Sequence, residues 1–585
     1  MPAKASGEVK MRIVRNTQKN GDIYVYERRT LYDPTTKQTK VLSAKLMGKI
    51  PKGSDKLMPT RPKQARFGDV GNSNGSGSHL AATRRRVGMM EIIDRIGIAS
   101  GIDEGIYGNT DTGTAQEILS VARYLLASNG QTLPGMLTWQ FTHALPYEEG
   151  ISEDIYHDLF CRVGRDEVLQ QNFFANRCAT IKDRAVLAYD STTISTYSEN
   201  QLDARFGYNK SNDGLKTIKF LALYSIETRQ PVAFTKQPGN LPDVITIENA
   251  LKQLSALGLG NALIVTDNGY HSERNLAELF VARFDFITLV KASLKWVSAE
   301  IRDHMDEFAK TSTVCPFDPH THGVTVTLMR DFERVRKYGN RKTGQKKGDT
   351  EKFRRRVYLH LYFNAERKAH EDAAFNADLI ELKKHIEGGA GIDELPTAAQ
   401  NKAKKYLCIS RRSGSVRVSF NETACDAARM LHGFFSLASN DEKDAFECLR
   451  KYRKRETIES FFEAMKTRAD GTRPRVWNSD TLRGRMFVQF VALCYYEYLA
   501  NEIRKMKAIL AVPNGDPTHD SAKNLELERK LKSWLENTPI YQTLQWFDTV
   551  ESIKVSSKIM SKRWTTEVTA RDKAFLDYLG VPELN

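Results

Sequence analysis

The chain has 585 residues and a mass of 66.4 kDa, and its 87 Lys and Arg residues exceed its 72 Asp and Glu residues to give a net charge of +15. With 41% hydrophobic and 27% charged residues the chain can bury large cores, which excludes global disorder and the collagen, mucin and disulfide-scaffold classes. A basic excess of this size favours a polyanionic partner, either nucleic acid or an anionic membrane.

Cysteine usage and hydropathy narrow this choice. The 7 cysteines are odd in number and form no CxxC pair, which is typical of a reducing cytosol. The first ten residues lack the apolar segment of a signal peptide. The most apolar stretch, Phe487–Tyr496, is about half of a membrane span. The sequence therefore predicts a cytoplasmic protein with no membrane partner, and of the two polyanionic partners nucleic acid is the one predicted.

The positive charge is concentrated in two segments. Residues 1–86 hold 19 basic and 6 acidic residues, and residues 330–356 hold 12 and 4, so the remaining chain is slightly acidic. Local basicity indicates defined DNA contacts, although two solvated surface stretches would give the same pattern. The DNA-contacting residues predicted in these segments are Arg84, Arg85, Arg86, Arg341, Lys342, Lys346 and Lys347.

The N-terminal third divides into three parts. Residues 1–67 are predicted to form a basic β-hairpin DNA-binding module, because residues 9–50 alternate apolar and polar positions around a turn. Residues 68–79 are rich in Gly, Ser and Asn and predict a flexible linker. Residues 80–183 carry helical patterns and predict a helical DNA-binding domain; a plain helical bundle is an equal alternative.

The remaining chain predicts a mixed α/β core. Residues 184–291 have the order β-β-β-α-β-α-β, and residues 292–430 are rich in β patterns around the basic loop. Residues 431–510 give one more core strand, Gly433–Ser439, followed by two helices. Residues 511–585 predict a helical segment for dimerisation or DNA contact.

Two predicted core strands end in an aspartate, Asp190 and Asp267. The carboxyl ends of central strands meet at the rim of an α/β sheet, where active sites commonly lie. Two carboxylates there could share Mg²⁺ ions for phosphate chemistry. A helix cap or a turn aspartate is the alternative for either residue alone.

A third acid is expected from the predicted helix Lys451–Arg468. Its Glu456, Glu459 and Glu463 share one helical face, and periodicity does not choose among them. Tyr452, Arg455 and Lys466 fall on the same side, so carboxylates for metal and cations for phosphate form one stripe. An exposed helix with surface ion pairs is the alternative.

These motifs resemble a known family. Tyr452-x2-Arg455-x3-Glu459-x6-Lys466 resembles the Y-x2-R-x3-E-x6-K motif of insertion-sequence DDE transposases of the insertion-sequence-four superfamily. Asp190-Ser-Thr is similar to the D-x-T strand of that family, and Asp267-x-Gly-Tyr is similar to its D-x-G-[FY] strand. PGNLPD at residues 238–243 resembles its PGN-x-x-D turn. The likeness covers about residues 184–505.

The resemblance implies a fold and a set of roles. It implies an RNase H-like catalytic core interrupted by a β-rich insertion domain at 292–430, and it selects Glu459 as the third ligand. Asp190, Asp267 and Glu459 would bind two Mg²⁺ ions, for which Mn²⁺ can substitute. Tyr452, Arg455 and Lys466 would hold phosphates of the transposon end. In relatives an aromatic side chain stacks on a flipped base there, and the candidates here are Trp296, Phe434 and Phe435, with core packing as the alternative for at least one phenylalanine.

The function implied is cut-and-paste transposition. The enzyme would bind terminal inverted repeats in double-stranded DNA, excise the element and join its 3′-hydroxyl ends to target DNA without ATP. It would act as a homodimer in a synaptic complex at the bacterial nucleoid. Two rivals stay open: a catalytically silent or repurposed DNA-binding protein, and an RNase H-like nuclease without strand transfer.

Overall fold

The structure is a computed structural model, and the residues that it describes are 9–18, 20–33, 38–54, 81–181, 185–337, 339, 345–389, 391–412, 415–469, 471, 473, 475–511, 522–556 and 561–582. The predicted linker 68–79 and the predicted DNA contacts Arg341 and Lys342 lie outside them. The chain forms two compact units, one of residues 1–84, 148–150 and 553–564, and a larger one of residues 85–147, 151–552 and 565–585.

The smaller unit contains an antiparallel sheet of three strands, β1 (Val9–Thr17), β2 (Ile23–Asp33) and β3 (Gln38–Ile50), in the order β1-β2-β3. Alternation places Val25 in a small core while Met11 and Ile13 stay exposed. The strand β4 (Ala81–Arg86) follows and joins a separate sheet of three strands described below. A third strand therefore completes what the sequence predicted as a hairpin.

The larger unit begins with a helical layer. Its helices are α1 (Gly88–Ala99), α2 (Ile102–Tyr107), α3 (Thr112–Ala127), α4 (Met136–Trp139), α5 (Glu153–Arg165) and α6 (Glu167–Ala179). Asp111 caps α3 by accepting a hydrogen bond from the Thr114 backbone N–H at 3.0 Å. These helices occupy the range in which helical patterns were predicted.

A mixed sheet of nine strands forms the centre of the larger unit. Its first strands are β5 (Val186–Thr196), β6 (Lys216–Ser225), β7 (Gln230–Pro238), β8 (Leu263–Thr266) and β9 (Asp285–Val290), with helices α7 (Asp243–Ala256) and α8 (Glu273–Ala282) between them. Antiparallel β5, β6 and β7 form one side, and β8 and β9 add parallel to β5 on the other, giving the order β7-β6-β5-β8-β9. The mixed α/β class and the predicted order of these elements are confirmed.

Residues 292–430 divide between this sheet and a small separate core. Their elements are α9 (Lys295–Asp303), β10 (Val314–Cys315), β11 (Asp318–Val335), β12 (Thr350–Asn364), α10 (Ala365–Glu387), α11 (Thr397–Tyr406), β13 (Leu407–Arg412), β14 (Ser415–Phe420) and α12 (Glu422–Arg429). The β11–β12 hairpin extends the main sheet through β15 (Phe434–Ser439), which pairs with β9. Residues of α10, α11, β13, β14 and α12 enclose their own apolar cluster, which includes Leu379, Ile386 and Val418.

Two helical segments follow β15 in the chain. They are α13 (Ala445–Arg453), followed by a 3-10 turn at Lys454–Glu456 and α14 (Thr457–Thr467), and then α15 (Ser479–Ala511). α15 is buried over most of its first 22 residues and packs on α5, where Gly164 and Gly484 allow close contact. A Cβ on Gly484 would lie 1.9 Å from the Phe160 carbonyl oxygen, so only glycine fits this crossing.

The C-terminal segment is not wholly helical. It contains α16 (Ala522–Asn537), α17 (Ile540–Phe547), β16 (Glu551–Ser556), β17 (Ser561–Thr565) and α18 (Ala570–Leu579). β16 and β17 form a sheet with β4 in the order β17-β16-β4. The sequence predicted helix throughout 511–585 and missed these two strands, because their partner strand β4 lies far away in sequence. In the described part of the chain no helix combines the length and apolarity that crossing a membrane requires.

Candidate active site

The two aspartates lie where the parallel part of the sheet ends. β5 pairs with β8 only from Val186 to Ala188, and Asp190 follows two positions later on β5. Asp267 directly follows the last residue of β8. The strand β5 does not end at Asp190 as predicted, because the β-branched residues after it continue pairing with β6 as far as Thr196. Both carboxylates nevertheless lie on the same rim.

One guanidinium connects all three predicted acids. Arg455 Nη1 donates to Asp190 Oδ2 at 2.9 Å, and Arg455 Nη2 lies 3.4 Å from Glu459 Oε1 and 4.0 Å from Asp267 Oδ2. Tyr452 adds a hydrogen bond from its hydroxyl to Asp267 Oδ1 at 3.2 Å. Acids separated by as many as 269 positions along the chain therefore converge on one point.

The motif that carries these side chains is not one continuous α-helix. Tyr452 lies in the last turn of α13, Arg455 lies in the 3-10 turn, and Glu459 and Lys466 lie on α14. The tighter winding of the 3-10 turn rotates α14 relative to α13. Across this break Arg455 still contacts Glu459 at 3.4 Å, and Glu459 and Lys466 line the same cleft.

The alternatives left open by periodicity differ in their positions. Glu459 contacts Arg455, and Glu463 lines the same cleft one turn later. Glu456 is exposed and is not among the described residues that line the cleft. The contact with Arg455 thus distinguishes Glu459 from its two neighbours.

The three acids and Lys466 line a cleft of about 550 Å³. Further side chains line it that were not predicted as site residues, namely Tyr208, Lys210, Lys219 and Asp243. Lys219 Nζ pairs with Asp243 Oδ1 at 2.6 Å, and Ser191 Oγ donates to the same oxygen at 3.0 Å. Asp243 ends the PGNLPD motif, so that motif was the signal that could have identified it. No sequence pattern marked Lys210 or Lys219.

Burial and nearby charges shift the pKa values of Asp190, Arg455 and Lys466. Burial raises the pKa of the Asp190 carboxyl, although Arg455 and neighbouring backbone hydrogen bonds act against this rise. Burial alone would lower the pKa of Arg455, but the surrounding Tyr452 and carboxylates outweigh it and raise that pKa. Desolvation and the nearby Lys210 lower the pKa of Lys466. The cleft thus holds one buried acid, Asp190, and two neighbouring lysines, Lys210 and Lys466.

The donor set fits a divalent metal. Three carboxylates offer the oxygen ligands that Mg²⁺ prefers, and their common contact with one guanidinium shows that they can surround one cation. As placed, with Arg455 between them, no group of three or more potential ligands among the described residues is close enough to hold an ion. Metal binding would therefore require the acids to exchange contacts with Arg455 for contacts with the ion.

The predicted DNA-contacting residues that the structure describes lie on or beside other elements than those that line the cleft. Arg84 and Arg85 are exposed on β4, and Arg86 pairs with Asp548. Lys346 and Lys347 are exposed in the turn that precedes β12. Within the same basic segment several cations are already paired, since Arg334 and Arg336 each lie 2.9 Å from Glu351. Part of the local charge therefore stabilises the β11–β12 hairpin.

The three aromatic candidates have different surroundings. Phe434 is buried between Phe308 and Phe363, at 5.1 and 5.0 Å between ring centroids. Phe435 is half-buried, stacks on Tyr362 at 4.8 Å and lines a cleft of about 530 Å³. That cleft also includes Asn268, which follows Asp267. Trp296 is half-buried, and the Arg330 guanidinium lies 3.8 Å from its ring centroid.

Comparison with known proteins gives the family. The model of the transposase DDE domain matches residues 181–495, more than half of the chain. A search of the curated proteins found no match. Among solved structures, a cryo-EM structure of the piggyBac transposase synaptic complex with hairpin DNA aligns over 79% of this chain and 78% of that chain, with 10% identity and a TM-score of 0.34, which is too low to argue from. The matched segment contains the strands, the cleft and the three acids described above, and the chain belongs to the transposase DDE domain family.

Proposed function

We propose that this transposase is a cut-and-paste enzyme of the insertion-sequence-four type. It would bind the terminal inverted repeats of its element, cleave phosphodiesters at both ends and join the freed 3′-hydroxyls to target DNA. The convergence of Asp190, Asp267 and Glu459 on Arg455 carries this proposal, because it joins acids from two strands and a distant helix.

The sheet supports an RNase H-like core for this chemistry. Three antiparallel strands followed by two parallel ones, in the order β7-β6-β5-β8-β9, form a mixed sheet that supports this part of the proposal. The first acid lies on the central strand of this set and the second directly after its parallel neighbour. Between β9 and β15 the chain inserts residues 292–430, which supports the proposed interruption of the core.

Each residue of the cleft has a role in the proposal. Asp190, Asp267 and Glu459 would hold two Mg²⁺ ions, or Mn²⁺, which activate the attacking oxygen and stabilise the leaving one. Arg455 keeps the three carboxylates together and compensates their charge. Lys466 supplies a cation to phosphate oxygens of the bound strand. Transesterification conserves the energy of the phosphodiester bond, so no ATP is required.

The proposed partners are DNA and a second copy of the chain. Double-stranded DNA is the substrate, and cutting two ends together implies a homodimer in the synaptic complex at the bacterial nucleoid. Phe434 and Phe435 both line the cleft of about 530 Å³, and Phe435 is the better placed of the two to stack on a base, since it is half-buried. Phe434 is the weakest, because stacking on a base would require it to leave the core.

The experiment uses the DNA that flanks the coding gene. A plasmid carrying both flanks is incubated with the full-length protein and Mg²⁺, and excision and strand transfer to a second plasmid are measured. Asp190→Asn should abolish both while retaining binding to the ends, and EDTA should do the same. Asp318→Asn is the matched control. Asp318, the first residue of β11, pairs with Arg453 of α13, and it is not among the described residues that line the cleft.

The outcomes separate the rivals. Excision by Asp190→Asn at the rate of the unmodified protein would refute the metal site. Cleavage without any joined product from precut ends would support a nuclease of the same fold. Binding without cleavage by the unmodified protein would support the silent DNA-binding protein.

A further inference from the structure

A second surface adjoins the cleft. The connection between β5 and β6, residues 197–215, packs against residues 475–479, which precede α15. Gln201 Nε2 donates to the carbonyl oxygens of Val476 at 3.1 Å and Asn478 at 2.8 Å, and Ser198 Oγ donates to the Trp477 carbonyl at 3.2 Å. These bonds fix the two segments to each other, and their exposed side chains are here named the aromatic rim.

Large apolar side chains are unusually exposed on the aromatic rim. Tyr197 is 67% exposed, Phe206 68%, Tyr208 76% and Trp477 74%. Burying such rings would release substantial hydrophobic free energy, so their exposure indicates a surface that is covered by a ligand. Among the described residues no other ring and no cation stacks on Tyr208 or Trp477.

The backbone of the aromatic rim is built close to the site. A Cβ on Gly207 would lie 2.5 Å from the Gly239 carbonyl oxygen, so glycine lets this loop rest on the PGNLPD turn. Next to it, Tyr208 lines the cleft together with Asp190 and Glu459. The rim is therefore held at the entrance of the cleft.

Cations accompany these rings. Arg473 lies 4.7 Å from the Tyr197 ring centroid, and Lys216 lies 5.7 Å from that of Phe206. Lys210 Nζ donates to the Ser191 carbonyl at 3.1 Å inside the cleft, and it is close enough to Lys466 to lower the pKa of that lysine. Acids moderate the charge, since Asp213 lies 3.8 Å from Arg473 and the same loop carries Glu199 and Asp203.

We propose that the aromatic rim binds unpaired nucleotides of the DNA strand that enters the catalytic cleft. Exposed rings interspersed with cations are the arrangement that recognises single strands, because bases stack on the rings while the cations meet phosphates. Bases within a duplex keep their faces stacked on each other and do not offer them to side chains. The inference rests on the proposed function in that the cleft must take a DNA strand.

The experiment measures binding of two probes to the full-length protein. An end-labelled oligothymidylate strand and the same strand paired with oligoadenylate are titrated, and fluorescence anisotropy gives the two dissociation constants. Trp477→Leu keeps an apolar side chain but removes the ring, and it should weaken single-strand binding by roughly 5- to 150-fold while duplex binding is unchanged. Trp477→Phe restores a ring and should bind nearly as the unmodified protein. Tyr208→Leu should behave as Trp477→Leu does.

A second measurement locates the strand. An iodouracil-substituted oligonucleotide irradiated in the complex should cross-link to peptides that contain Tyr208 or Trp477. Unchanged single-strand binding by both leucine variants would overturn the proposal. The proposal would also be overturned if the leucine variants bound the single strand normally but eluted from a size-exclusion column at a different volume from the unmodified protein. That result would assign the aromatic rim to contact with a second copy of this chain.

The two proposals fail separately. If the unmodified protein neither excises nor nicks DNA, but Trp477→Leu loses single-strand binding, then the proposed function fails and the aromatic rim stands. If Asp190→Asn abolishes excision while both leucine variants bind the single strand normally, the proposed function stands and the aromatic rim fails.

Discussion

Replacing Arg455 by glutamine removes a cation that lies within 4.0 Å of all three acids. Breaking a buried ion pair by deleting one partner costs about 3–5 kcal/mol, because the other charge is left uncompensated. Glu459 is 62% exposed and Asp267 44%, so water screens them and they contribute little. Asp190, at 14% exposed, contributes nearly fully. We therefore expect a loss of about 3 kcal/mol near pH 8.

The loss depends on pH in a defined direction. Burial already raises the pKa of Asp190 in the folded protein, and Arg455 limits that rise. Without Arg455 the pKa rises further. A carboxyl whose pKa is higher in the folded than in the unfolded state favours folding while it is protonated, and this contribution is lost as the pH rises through the folded pKa. The penalty of Arg455→Gln should therefore be small near the unfolded aspartate pKa of about 3.9 and should increase toward pH 8.

The assay is calorimetric unfolding of the full-length protein at low and high pH, each in EDTA and in Mg²⁺. Arg453→Gln is the matched control, because Arg453 precedes Arg455 by two positions and pairs with Asp318 instead. Mg²⁺ should stabilise Arg455→Gln more than the unmodified protein, since the carboxylates no longer compete for it with a guanidinium.

Three results would refute this reasoning. An equal penalty at both pH values would mean that Asp190 is not the group left uncompensated. Equal stabilisation of both proteins by Mg²⁺ would mean that Arg455 and the metal do not share the same carboxylates. A comparable, pH-dependent loss in Arg453→Gln would show a general effect of removing charge.

Three further predictions concern the rest of the larger unit. Lys466→Met should lower the slope of log affinity for DNA against log salt by about 1, because one phosphate contact is lost; an unchanged slope in a filter-binding titration would assign Lys466 a structural role. Gly484→Ala should destabilise the protein by about 3 kcal/mol or prevent folding, since its Cβ would lie 1.9 Å from the Phe160 carbonyl oxygen, and a soluble variant of normal stability would contradict this packing. Burial raises the pKa of Glu497 to about 7, against the hydrogen bond from Tyr224, so the unmodified protein should lose about 3 kcal/mol between about pH 4.5 and above pH 7. Glu497→Gln should flatten that dependence in unfolding experiments, whereas a parallel pH curve would place the titrating group elsewhere.

The sequence could predict the strands and the acids because both are local signals. Apolar runs at residues 185–190, 217–226 and 262–267 predict buried strands, and they appear as β5, β6 and β8. The motifs around Asp190, Asp267 and Glu459 have fixed spacings that can be read along the chain. Alternation of residues could not show that β5 continues past Asp190, because that extension depends on pairing with β6.

The remaining features depend on contacts between distant segments. The break between α13 and α14, the pairing of Lys219 with Asp243 and the aromatic rim bring together residues from separate elements, and no local pattern encodes those distances. By itself the sequence predicted the mixed α/β class, an aspartate at the end of each of two strands and a charge that favours DNA, since residue type and spacing suggest each of them, whereas the choice of Glu459 came from the family resemblance. Only the tertiary structure decided that one buried guanidinium joins the three acids and that exposed rings stand at their entrance, because both follow from how the sheet and helices pack.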